Sequence, residues 1–237
     1  MSDAAADTPS GPPRFRRVRG HVGSRRSSHS YGYVLLLIGV SFVFAATAPN
    51  SAWASSALVL LQSATLVVAL WTSGIARAGA WHNVVLLALA IALAVAGLVW
   101  TGPNLEAALG IVSGLMTLAI AVVIALSIIS KGEITRQSIT GAVCIYLLLG
   151  MIFVFIYGAC AALGNGPFFA QGTDGTRAVR LYFSYITLAT VGYGDYTPAG
   201  NLGHALAVIE ALTGQLYLVT VVALLVARIR PARAHGE

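Results

Sequence analysis

One short run in this chain has residue types and spacing that suggest chemistry: Thr190-Val191-Gly192-Tyr193-Gly194-Asp195. The chemistry is that of the backbone. Glycine at 192 and 194 permits main-chain angles that turn successive carbonyls to one side. Carbonyls so turned, with the Thr190 hydroxyl, present oxygens that can replace the water around a cation, an arrangement known from ion filters and not dictated by these residues alone. Enzyme chemistry has no comparable candidate. The sequence contains no H-E-x-x-H, no P-loop and no G-x-S-x-G, and Ser113 in "IVSGL" has no partner base in a neighbouring segment.

A run of this kind has to be held by its surroundings, and these are apolar. Of 237 residues, 57% are hydrophobic and 9% charged, with a mean hydropathy of +0.82. Uncharged stretches such as Val84 to Val99 and Ala107 to Ser130 exceed what a soluble helix carries. The alternation of a membrane β-barrel is absent. The expected fold class is therefore an all-α membrane protein, with six transmembrane helices plus one shorter re-entrant helix and the loop after it, which the resemblance drawn from residues 139–228 makes a re-entrant pore helix and a selectivity-filter loop. The spans are expected near 31–48, 54–74, 83–101, 106–130, 138–163 and 202–228. Breaks at Pro49-Asn50, near Gly79, at Gly102-Pro103 and at Lys131-Gly132 separate the first five. Span one is short by the rule of roughly 20 residues, which tilt or bilayer thinning accommodates.

Between the last two spans, Ala178 to Ala189 suits a helix crossing half a membrane, about 18 Å long at the standard rise. Thr173 or Asp174 is expected to cap its start. Its C-terminal end near Thr190 then turns partial negative charge toward the membrane centre, where a cation is stabilised. Irregular backbone at that depth is tolerated only where it lines a cavity or is buried in protein.

Charge placement gives the orientation. Six of fourteen basic residues (Arg14, Arg16, Arg17, Arg19, Arg25, Arg26) precede the first span, and Arg228, Arg230 and Arg233 follow the last. Arg77, Lys131 and Arg136 fall on the same side as both termini, while Arg177 and Arg180 fall opposite. That is a positive-inside pattern rather than a nucleic-acid face, and it places both termini in the cytoplasm. Residues 1–30 read as a disordered basic tail able to meet anionic lipid, chiefly as a topology determinant. The N-terminus does not read as a cleaved signal peptide. Trp53, Trp71, Trp81 and Trp100 lie near span ends, as interfacial anchors do. Cys144 and Cys160 lie on one helix and point apart, which argues against a disulfide.

Residues 139–228 resemble the pore domain of the tetrameric potassium channels: outer helix, pore helix, "TVGYGD" and inner helix in order. The resemblance covers about 90 residues. It implies that carbonyls of Thr190, Val191, Gly192 and Tyr193 coordinate potassium, with the threonine hydroxyl at the innermost site and Gly194 completing the filter. It further implies that the Tyr193 ring braces the filter against the pore helix, that Asp195 sits at the outer mouth, and that Gly214 is a hinge position in the inner helix. Where many members carry a second threonine, this chain has Ala189, which bears on internal blockers more than on selectivity. A homotetramer is implied, each chain supplying one filter strand. Passive transport of potassium across the plasma membrane follows, with no cofactor beyond the permeant ion.

Residues 31–130 resemble a voltage-sensor scaffold, joined by a linker (131–138) to the pore domain (139–228) and followed by a short tail (229–237). A sensor helix carries three or four gating charges per subunit. Leu105 to Ser130 contains no Arg, Lys or His, which excludes steep voltage gating through it. Glu210 is the one acidic residue well inside a span. It is expected to form a structural hydrogen bond to the pore helix or a neighbour, with gating as the competing role. His204 reads as an interfacial residue, with external pH sensing as the alternative. A secondary transporter would show internal repeats, and none is visible; a non-conducting scaffold subunit is the remaining rival.

Overall fold

The computed structural model of the protein describes residues 30–73, 80–100, 102–131 and 136–228. The basic tail, Arg77, Gly79, Gly132 and residues 229–237 lie outside the described residues. Within them the chain forms seven helices: α1 (Ser30–Thr47), α2 (Ala52–Ser73), α3 (Ala80–Val99), α4 (Pro103–Lys131), α5 (Arg136–Leu163), α6 (Arg177–Leu188) and α7 (Asn201–Arg228). Five of them, α2 to α5 and α7, are long and apolar enough to cross a membrane by length and composition. The expected first span is α1, 18 residues long, whose apolar part Tyr31–Thr47 is shorter than the other five. The boundaries fall within three residues of those expected, because Pro49-Asn50 and Gly102-Pro103 do interrupt the helices.

In lipid, helices gain little from hiding apolar surface, so close packing and interhelical hydrogen bonds hold them together. One core lies where α1, α2, α4 and α5 converge, around Ile38, Leu66, Met116, Ile120, Ile124 and Leu148. Glycines bring the backbones close: Gly97 lies against Ser56 and Leu109, and Gly141 against Ile128. Gln62 Nε2 on α2 donates to Thr117 Oγ1 on α4 at 3.0 Å, and the Tyr31 hydroxyl donates to Ser127 Oγ at 2.6 Å. Buried Ser63, Thr65 and Thr117 donate to their own helices four residues back, so these hydroxyls need no ligand.

α4 packs along α5. It ends at Lys131 and α5 begins at Arg136, so the connection is too short to carry α1–α4 away from α5 of their own chain. The α6 helix lies between α5 and α7 and also touches α1. Cys144 and Cys160 both lie on α5 as free thiols.

Candidate ion-binding site

The segment from Gly164 to Thr176 folds back on itself, Phe169 bridging Thr173, and lies against Thr197 to Ala199. Phe168 and Phe169 are buried and join Tyr157, Phe183 and Tyr196 in an aromatic cluster, with ring centroids 4.9 to 5.3 Å apart. Backbone bonds Ala170 N to Thr197 O and Ala199 N to Phe168 O, each 2.8 Å, tie this loop to the outer end of the filter segment. Gly175 has φ +65°, and any Cβ there would press into the Phe169 ring. That turn delays the helix start, which corrects the expected cap. Thr176 caps α6, its Oγ1 accepting from Val179 N at 3.2 Å. Thr173 and Asp174 instead brace the loop: Thr173 Oγ1 accepts from Gly175 N, and Asp174 Oδ1 from Phe168 N at 2.9 Å.

The α6 helix has 12 residues and buries Leu181, Phe183, Ser184 and Leu188. Glu210 of α7 lies behind it with no exposed surface. Its carboxyl accepts from the Tyr157 hydroxyl of α5 and from Ser184 Oγ of α6, and Ser184 Oγ also lies 2.8 Å from Gly150 O. The expected structural hydrogen bond is thus a three-helix junction. Gly150 leaves room for the Tyr185 ring, whose hydroxyl donates to Leu147 O at 2.5 Å. Gly214 lies in an uninterrupted α7, against the Leu188 carbonyl and side chain at the end of α6. Here its lack of a side chain serves close packing. His204 is exposed in the first turn of α7.

The filter segment leaves α6 without a free stretch of chain. Thr190 N donates to Thr187 O at 2.9 Å, and Val191 N and Gly192 N both donate to Ile186 O, at 2.8 and 3.1 Å. Thr190, Gly192 and Gly194 have φ of +56°, +54° and +79°, whereas no positive φ occurs at Val191 or Tyr193. Alternating handedness undoes the strand habit of pointing successive carbonyls to opposite sides. For glycine this is free, but Thr190 in the left-handed region costs on the order of 1–3 kcal/mol. Gln215 Nε2 on α7 donates to Thr190 Oγ1 at 2.9 Å and helps hold it there. The Tyr193 ring stacks on Tyr182 of α6 at 6.4 Å, and the Tyr182 side chain is hydrogen-bonded to Asp195.

At the start of α6, Arg177 reaches the first helices. Its backbone N–H donates to Asn50 Oδ1 at 3.2 Å, and Nη2 donates to Ser55 Oγ at 2.6 Å. Burial lowers the Arg177 guanidinium pKa below its ordinary value, and Glu106 at the start of α4 acts in the opposite direction. Sequence reasoning had singled out none of Asn50, Phe168, Phe169, Tyr157, Ser184 or Gln215 for a role. Gln215 alone left a legible signal, as a polar residue inside an apolar span beside Gly214.

Comparisons with known proteins fall on this region. An ion-channel family model matches residues 141–230. The inward rectifier potassium channel Kirbac3.1 of Paramagnetospirillum magnetotacticum is 36% identical over 84 residues, which is 35% of this chain and 27% of that relative. The chain thus spans about a quarter of the length of the relative it matches. No solved structure gives a significant match. The protein is an integral membrane protein whose C-terminal region, residues 141–230, is an ion-channel domain related to those of the potassium channels.

Proposed function

We propose that this protein is a potassium-selective channel formed by four copies of the chain around one axis, conducting passively down the electrochemical gradient. Each copy contributes six spans, with α1 as the shortest, and α6 with the following loop enters the membrane from outside and returns. Both termini face the cytoplasm of a cell bounded by this plasma membrane, and the basic tail meets anionic lipid. The observation that carries the reading is the alternation of φ over Thr190, Gly192 and Gly194 directly after a half-membrane helix. In a ring of four, carbonyls of Thr190, Val191, Gly192 and Tyr193 replace the water of a potassium ion, with Gly194 and Asp195 at the outer mouth. The C-terminal end of α6 adds partial negative charge below them.

Potassium is cargo here, and the donor set is oxygen alone, as a hard monovalent cation requires. Steep voltage gating is not part of the reading, since α4 carries no basic residue between Glu106 and Lys131. The stimulus that opens the channel is assigned to neither Gly214 nor Glu210, both of which serve packing around α6. Reconstituted protein is expected to pass rubidium rapidly without a coupling ion. Under bi-ionic potassium and sodium, its reversal potential is expected far from zero; a value near zero would sink the selectivity, and absence of unitary currents would sink the channel.

A further inference from the structure

The α1–α2 hairpin reaches the outer end of α6 through polar contacts that are not needed to bury apolar surface. The first N–H groups of a helix have no partner within it. In α6 one of these is met locally, by Thr176. Another, on Arg177, is met by Asn50 from a position 127 residues earlier in the chain. Ser55 then holds the Arg177 guanidinium. Farther along α6, Leu181 packs with Leu58 and Ala45, and Phe42 of α1 meets the Tyr185 ring edge-on at 4.9 Å. At the other end, the Val191 and Gly192 amides bond directly to Ile186 O. The helix between the two ends is 12 residues of hydrogen-bonded rod, which transmits a displacement rather than absorbing it.

We infer that the α1–α2 hairpin is a clamp on the pore helix, with Asn50 and Ser55 as positioning residues that act through Arg177 on the geometry of Thr190 to Gly194. The inference rests on the channel reading above and gives the uncharged helices α1–α4 a role in it. Shifting the hairpin moves α6 along its axis and changes how long the filter stays in its conducting form.

The test uses the full chain reconstituted in lipid, with Asn50→Ala, Asn50→Asp and Ser55→Ala. Hydrogen exchange is read at the first-turn amides of α6, and single-channel records give open probability and unitary current. Asn50→Ala is expected to speed exchange at the Arg177 amide and to lower open probability by about fivefold, the scale of a lost helix cap. Unitary current stays at its wild-type size, which shows that the protein is folded and its filter formed. Asn50→Asp keeps an Oδ acceptor and is expected to restore both readouts. Ser55→Ala is expected to lower open probability with less change in exchange. Unchanged exchange in Asn50→Ala overturns the clamp whether or not current is seen, as does wild-type open probability in both alanine variants, or failure of Asp to restore. A wild-type protein that exchanges as expected but passes no current overturns the channel reading instead.

Discussion

Glu210 illustrates how a buried carboxyl in a span can be structural. Its two oxygens meet Tyr157 and Ser184, so three helices share one polar junction away from lipid. Glutamine has the same shape, with an oxygen for Tyr157 and an amide donor for Ser184. Glu210→Gln is therefore expected to assemble normally and to keep unitary conductance within about twofold, since both partners stay satisfied. Glu210→Ala leaves the buried Tyr157 hydroxyl without its partner, at about 1–3 kcal/mol, while Ser184 keeps Gly150 O. Thermal unfolding in detergent compares the two, and equal midpoints would remove the junction from the account. Gly214 makes a second case. A methyl group there meets the Leu188 carbonyl, so Gly214→Ala is expected to cost about 1–3 kcal/mol by overpacking. Leu216→Ala, at a position 65% exposed in the single chain, serves as its control for monomer packing.

Among the elements, α4 and α6 have contrasting duties. A charge moved through the membrane potential is worth about 2.3 kcal/mol per 100 mV. The α4 helix has only Glu106 and Lys131, both near its ends, and so has almost nothing for the field to act on. Open probability is accordingly expected to change by no more than about twofold over 200 mV in bilayer recordings, whereas a steep sigmoid would demand a sensor elsewhere. The close packing of α4 on α5 fits a static role. In α6, both ends are tied: Asn50 and Thr176 at the start, and the Ile186 carbonyl to the filter at the finish. It is positioned from both sides, by the α1–α2 hairpin and by α7.

For the whole molecule, the telling feature is what a single chain leaves uncovered. Only Gly203, Glu210 and Gly214 are buried in the Asn201–Val221 span, and Val191 and Tyr193 are 52% and 70% exposed. Leu212, Leu216 and Val219 add apolar surface to the same helix. Lipid covers apolar helix surface well, but a filter strand with irregular backbone at membrane depth needs protein or a water-lined cavity beside it. On the proposed channel reading, copies of the same chain supply both. The expected native mass of the reconstituted protein is four times 24.6 kDa, about 98 kDa before lipid. A monomer that nevertheless conducts selectively would contradict a filter built of four strands.

Composition alone determined the class of this protein. With 57% hydrophobic residues and long uncharged runs, no arrangement but membrane helices accommodates the chain, and Pro and Gly mark where they end. The motif at 190–195 was equally legible, because glycines at fixed spacing announce what the backbone does there. The N-cap of α6 falls at Thr176 and not at Thr173 or Asp174, since three hydroxyl or carboxyl candidates stand close together and only the positive φ of Gly175 settles which one begins the helix. The Glu210 bond to the pore helix was legible as a carboxyl inside an apolar span, but its partners Tyr157 and Ser184 were not. The left-handed Thr190 and the Asn50 cap left no usable pattern, because each depends on partners 25 to 127 positions away. Hydrophobicity and local turn chemistry are written along the chain, whereas hydrogen bonds between distant segments exist only once helix packing has fixed which side chains meet.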